Sequence, residues 1–348
     1  MESPAGKRPD NASLKRTELN SRSSVERKQL SKRILARVRP FAPLLALIVL
    51  SLLIGAVNPR FFEFRNIVRL ASSAAIPMVL ALGANFVIIL GSVDLSVEGV
   101  MAIGSVVISL LVQNDRNTNA FGLWGPILAV FAGAGIGLLN GCVHVSFRIP
   151  SFMVSLGVWF VALGLATFIL GGTTVRVVDP AFRGLALHYF LGFPLAVWLA
   201  LAALALCWII ERFTTVGRYM YAIGGGEDLA ILSGIPVSRV KVIIFTLAGA
   251  LYAIGGMLAA AQLGQAQALI GNGRLFSAIT AVVVGGTALS GGEGGVLNTL
   301  IGVLIISTLA NGMVLVGISP YVQQAVQGIL IIVAVALTLD RTRMKIVK

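Results

Sequence analysis

The chain has 348 residues, of which 57% are hydrophobic and only 12% charged, with a mean hydropathy of +0.92. A soluble domain carries roughly 25% charged residues, so this composition excludes an ordinary soluble protein and points to an all-α polytopic membrane protein. The formal net charge of +13 does not argue for a nucleic-acid partner, because 11 of the 27 Lys and Arg fall within the first 40 residues and others sit in short loops between apolar runs, the bias that the positive-inside rule describes.

Residues 1–40 are rich in Ser, Lys and Arg, the composition of a basic, disordered cytoplasmic tail. The basic stretch is too long for a cleaved signal peptide, so the first apolar run reads as a retained anchor. Asn11-Ala12-Ser13 has the form of a glycosylation acceptor but lies in this tail. A transmembrane domain over 41–340 follows. Its apolar runs lie near 41–57, 67–90, 95–112, 121–141, 151–170, 190–210, 242–262, 275–290, 295–313 and 319–339. Most are long enough for a hydrocarbon core of about 30 Å, which predicts about ten spans (eight to ten), the short run at 275–290 being a candidate re-entrant segment. Ten spans place both termini in the cytoplasm, including the basic end at 341–348. On the inside would lie the tail, His144, Arg148 and the loop from Glu211 to Lys241; on the outside Arg60, Arg65, Arg69, Arg116, Arg176, Arg183 and Arg274. The 39 glycines fit close helix packing in a bilayer. Cys142 and Cys207 lack metal-ligand spacing and are expected to be buried free thiols.

Two stretches echo each other. VIILGSVDLS at 87–96 and VVVGGTALS at 282–290 both interrupt apolar runs with glycine and small polar residues, and internal repeats are common in transporters. Asp94 and Glu98 follow the first break; Ser92 or Asp94 would cap a helix starting at Leu95, with the carboxylates near its positive end. A surface loop with Asp94 as a simple cap is the alternative. Asn85, Ser96, Asn140 and Asn311 also fall in or beside apolar runs. Neutral amides and hydroxyls there would suit a neutral polyhydroxylated ligand, or simply bond helix to helix. Asn85, Asp94, Ser96 and Asn311 are the candidates for a translocation path.

Between two long apolar runs lies RYMYAIGGGEDLAILSGIPVSRVK, 218–241. Gly224, Gly225 and Gly226 are expected to release the backbone from regular structure. Glu227 and Asp228 suit a first helical turn, and Ser233-Gly234-Ile235-Pro236 stops the helix, with Gly234 as a left-handed cap. A helix of about two turns is too short to stand alone; it is a docking element for a partner protein, or else an ordinary solvated loop. The Gly-rich loop 285–295 lacks the Lys-Ser or Lys-Thr of a phosphate-binding loop, the glycines before Glu227 follow no strand, and His144 and His188 have no partner at a catalytic spacing. No catalytic, cofactor or metal motif is found.

Four segments together carry a family resemblance: GSVDLSV at 91–97, NGCVHVSFRIPSFMVSLG at 140–157, GRYMYAIGGGEDLAILSGI at 217–235 and AVVVGGTALSGGEGGVLNTLIG at 281–302. They resemble the permease subunits of bacterial sugar ABC importers of the ribose/xylose/galactose type, through about residues 42–338. The resemblance implies that two such subunits, identical or closely homologous, form the pore. It implies a separate cytoplasmic ATP-binding subunit, a periplasmic sugar-binding protein, and a site in the inner membrane. It makes the short helix the ATPase-coupling element, through Glu227, Asp228, Ala230, Ser233, Gly234 and Ile235. The chain departs from the family pattern at Glu98-Gly99, where Gly more often follows Ser-Val directly. A permease for branched-chain amino acids and an ion-driven secondary transporter are the alternatives.

Overall fold

Glycines four residues apart set the centre of the fold. In the computed structural model, which describes residues 41–338, the expected tail at 1–40 and basic end at 341–348 lie outside the described residues. Helix α1 (Ala42–Val57) leads through a 3-10 turn into α2 (Phe64–Ile89), α3 (Val97–Leu111), α4 (Trp124–Phe147) and α5 (Ser151–Leu170). Then come α6 (Pro180–Leu187), α7 (Leu195–Phe213), α8 (Thr215–Gly225), α9 (Glu227–Leu232), α10 (Val237–Leu263), α11 (Arg274–Val284), α12 (Val296–Leu315) and α13 (Pro320–Thr338).

Six of these, α2, α4, α5, α7, α10 and α12, are long and apolar enough to cross a membrane, and α1, α3 and α11 are shorter apolar helices. An all-α polytopic membrane protein therefore stands. The short α3 and α11 have a shared cause, since each borders a glycine break that ends regular structure inside an apolar run.

Helix α10 packs against α2, α3 and α4, and α2 packs in turn against α7, α11 and α12. The α4–α10 contact is made through Gly133, Gly137 and Gly141. A Cβ on Gly137 would overlap the Phe245 carbonyl oxygen, and one on Gly141 would stand 2.9 Å from the Val242 Cα. Small residues at this spacing let two backbones touch, which is how helices associate where lipid is as apolar as leucine. The opposite face of α4 presents Phe131 and Leu139 outward, as a lipid-facing surface does. Cys142 is exposed, against expectation, while Cys207 is buried; neighbouring Gly141 takes the packing position on α4 and turns the thiol away.

One end of the bundle carries the short strands. Strand β1 (Val175–Arg176) pairs antiparallel with β4 (Gln265–Ala266), and β2 (Tyr189–Phe190) with β3 (Phe193–Pro194) around Leu191 and Gly192. Both turn residues have positive φ, the geometry of a two-residue hairpin. Asp179 caps α6 by accepting from the Phe182 N–H at 3.0 Å. Near this end the amides of Asn66 and Asn311 bond reciprocally at 3.0 and 3.1 Å, tying α2 to α12. The opposite end carries α8 and α9, and Arg148, whose left-handed conformation closes α4 ahead of Ile149-Pro150.

The packing makes a paired prediction. Gly137→Leu, which forces α4 off α10, costs about 1–3 kcal/mol or more. Gly135→Leu, on the same helix but with open space at its Cβ, leaves stability near wild type. Melting of the purified protein in detergent checks both, and equal effects would show that the glycine spacing does not set the contact.

Candidate functional site

The site is built where two helices break and a third touches both. Helix α2 ends in a Schellman turn: Gly91 is left-handed at φ 80°, its N–H donates to Ile88 O at 2.9 Å, and the Ser92 N–H donates to Val87 O at 3.0 Å. Helix α11 ends the same way, with Gly286 at φ 102°, its N–H on Val283 O at 2.9 Å and the Thr287 N–H on Val282 O at 3.2 Å. The sequence echo is thus one helix end used twice, after which each chain runs irregularly into the next helix.

Both breaks are polar backbone inside an apolar bundle, where an unsatisfied N–H costs several kcal/mol. The first is cradled by α5: the Val93 N–H donates to Ser151 Oγ at 3.1 Å and the Leu95 N–H to Ser155 Oγ at 2.9 Å. Asp94 is buried. Its Oδ1 accepts from the Ser96 N–H at 2.8 Å, from Ser96 Oγ at 2.6 Å and from Asn140 Nδ2 at 3.3 Å. Helix α3 starts at Val97 with Ser96 at its cap position and no side-chain cap. Asp94 therefore fixes the turn before the helix, and neither it nor Ser92 caps a helix at Leu95. Thr287 of the second break donates to Asn85 Oδ1 at 2.9 Å, and the Gly292 N–H donates to Ile89 O at 2.8 Å. Of the four path candidates, Asn85, Asp94 and Ser96 come together around the breaks. Asn311 lies apart, with Asn66.

Glu98 does not join this group. Its Oε1 accepts from the Leu275 N–H at 3.3 Å, placing the carboxylate on the first turn of α11. Gly99 beside it is a contact position, since a Cβ there would stand 2.7 Å from the Trp159 carbonyl oxygen on α5. The departure from the family pattern thus joins α3 to both α5 and α11.

Helix α8 touches both breaks. Gly224 and Gly225 are helical, against expectation, and only Gly226 leaves the helix. At Gly224 the lack of a side chain serves close approach instead: a Cβ there would overlap Ile89 O, and one on Gly291 would stand 2.7 Å from the Gly91 Cα, while Gly225 has open space at its Cβ. A second tie runs through Glu211 at the end of α7. Its Oε2 accepts from the Val296 N–H, the first residue of α12, at 2.7 Å, and its Oε1 lies 2.7 Å from the Tyr221 hydroxyl, itself 2.9 Å from Gly294 O. Burial, and then the Glu211 carboxylate, push the Tyr221 hydroxyl pKa up, so it remains protonated as a donor. Glu211 and Tyr221 carried no signal in the sequence beyond lying near the Gly-rich stretch.

Helix α9 extends from α8. Gly234 ends it at φ 77°, with the Ile235 N–H on Ala230 O at 3.0 Å. Lys241 of α10 pairs with Glu227 at 2.7 Å. Ala230 faces inward and is buried, whereas Leu229, Ile231 and Leu232 project outward, Leu232 being 83% exposed. A six-residue helix thus turns an apolar face outward, the kind of surface on which proteins meet partners. Glu227, Asp228, Ser233 and Gly234 are exposed around it and Ile235 is half-buried. Among the described residues no group of three His, Cys, Asp or Glu is placed to hold a metal.

Helices of membrane length, broken inside the bundle and joined at one end to a short projecting helix, are the architecture of a membrane transport subunit. The chain matches the family described as branched-chain amino acid transport system / permease component over residues 66–335. It is 37% identical over 306 residues to the ribose import permease protein RbsC of Bacillus subtilis, covering 86% of this chain and 92% of that one. It is 33% identical over 296 residues to RbsC of Escherichia coli K12 (84% and 91%), and 32% identical over 306 residues to the L-arabinose transport system permease protein AraH of the same strain (88% and 91%). The chain belongs to this family of permease components, as a permease subunit of the ABC-importer type. No solved structure matches it.

The Glu211 cluster yields a test. Glu211→Ala removes the α12 cap and the Tyr221 partner together and costs about 1–3 kcal/mol, while Tyr221→Phe added to it costs little more. Thermal melting of the single and double variants measures this; fully additive losses would show that the groups do not act as a unit.

Proposed function

We propose that this chain imports a sugar or sugar-like solute across a bacterial inner membrane as one of two permease subunits, identical or closely homologous, in an ABC importer. A separate cytoplasmic subunit hydrolyses ATP, and a periplasmic binding protein delivers the solute. The observation that carries the reading is the backbone contact of α8 with both helix breaks, because it links an outward docking helix to the interior of the bundle. ATP-driven movement of the partner, seated on α9, would shift α8 and both breaks as one body and rock the spans to give alternating access.

In this reading the chain crosses the membrane about ten times, with α9 and both termini in the cytoplasm. The end bearing β1–β4, α6 and the β2–β3 hairpin meets the binding protein. Glu227, Asp228, Ser233, Gly234 and Ile235 engage the ATPase together with Leu229 and Leu232, and Ala230 seats the helix from beneath. Asn85, Asp94 and Ser96 bound the translocation path by fixing the break beside it, and Asn311 fixes α12 from the far end. The sugar reading draws on the ribose and arabinose permeases, which match most of the chain. The family description favours branched-chain amino acids as the second reading. An ion-driven mechanism has less support, since Asp94 and Glu98 are both engaged in fixing backbone.

Replacing Leu232 by Asp, or Asp228 by Lys, is expected to abolish co-purification with the ATPase while leaving membrane insertion and melting unchanged. Retention of the ATPase by both variants would reject α9 as the docking element.

A further inference from the structure

A cavity of about 200 Å³ opens on the protomer surface between α11, α12 and α13. Phe276, Ser277 and Thr280 line it from α11, Ile306 from the middle of α12, and Gln324 and Gln327 from α13. Phe276 is 59% exposed, and Gln324 is exposed as well. Amides on an outward face of apolar helices are costly against hydrocarbon. This face is therefore turned to something other than hydrocarbon: water, a polar ligand or the second permease subunit.

The lining has a definite chemistry. Ser277 Oγ donates to Gly273 O at 3.1 Å and Thr280 Oγ1 to Phe276 O at 2.6 Å. Both hydroxyl protons are thus engaged, and the oxygens are left as acceptors. Each glutamine amide supplies a donor and an acceptor, and Phe276 supplies an open apolar ring face. Among the described residues no charged side chain lines the cavity. The N-terminus of α11 beside it, which could receive a carboxylate, already holds Glu98 through the Leu275 N–H. An α-amino acid would find no counter-charge here. A monosaccharide would find a ring face for its C–H side, and amides and acceptors for its hydroxyls. The cavity is smaller than the roughly 300–1,000 Å³ of drug-sized pockets, as suits a single sugar ring.

We infer that this cavity is a subsite of the translocation path that takes one neutral monosaccharide ring, stacked on Phe276 and hydrogen-bonded by Gln324 and Gln327. The inference rests on the sugar-import reading and gives it a location. The test reconstitutes the full chain with its ATP-hydrolysing and solute-binding partners in proteoliposomes and follows radiolabelled D-ribose, L-arabinose and L-leucine.

Phe276→Ala and Gln327→Leu are each expected to lower monosaccharide uptake about tenfold, the effect of losing a contact of about 1.4 kcal/mol. ATP hydrolysis by the complex should persist, and Phe276→Tyr should retain uptake. Wild-type sugar uptake with both variants within about twofold of it, a change below that of one lost hydrogen bond, overturns the subsite and leaves the import reading intact. Wild-type uptake of leucine but of neither sugar overturns the import reading itself. Should the truncations fail to assemble, Phe276→Cys in a Cys142→Ser background decides: modification by a water-soluble maleimide, slowed by the transported sugar, supports the subsite. No modification, or modification the sugar leaves unchanged, overturns it.

Discussion

Three lengths of backbone meet without side chains between them, and the rest of the structure depends on that contact. Gly91 of the first break, Gly291 and Gly292 of the second, and Gly224 of α8 approach so closely that a Cβ at the last three would meet neighbouring backbone. The bond from the Gly292 N–H to Ile89 O fastens the two breaks. Backbone packed this closely cannot slide by small increments, because packed interiors resist continuous deformation. Moving α8 therefore moves both breaks or separates them.

Breaking helices inside an apolar bundle carries a cost that whole helices avoid, since each loosened N–H must find a partner. The partners here are specific. Ser151 and Ser155 serve the first break, Asp94 turns it through Ser96, and Thr287 ties the second break to Asn85. Glu211 serves the first N–H of α12. Each partner comes from a different helix than the group it satisfies, apart from Asp94 and Ser96. The breaks are consequently stable only when the bundle is assembled, which joins local geometry to the arrangement of the spans.

Much of this was legible in the sequence, and what was not has physical reasons. Apolar run length placed the long helices, because 3.6-residue geometry and bilayer thickness fix it. The capped α9 was readable because Glu227-Asp228 and Gly234-Pro236 are local signals. The echo at 87–96 and 282–290 marked both breaks, since a left-handed turn needs glycine at Gly91 and Gly286. Gly224 misled: glycine marks a helix break and a close helix contact with the same letter, and only the position of Ile89 distinguishes them; Gly225 continues the helix with open space at its Cβ. Glu211 and Tyr221 gave no signal, because their meaning lies in Gly294 and Val296, more than seventy residues away. Ala230 and Leu232 are equally apolar in sequence, and only the packing of α9 within the fold decides which is buried.

Glu98 shows how such a structure divides its charges. A carboxylate within an apolar bundle must be tied or neutralised, and Glu98 is tied to the first turn of α11 while Asp94 is tied to its own turn. Both acidic groups near the interior are thereby committed to holding backbone, which leaves the open cavity at α11 and α13 to neutral amides, hydroxyls and one ring. In the proposed sugar-import reading this division of charges matters, because a solute that needs no counter-ion would leave few polar groups desolvated and unmatched in such a cavity.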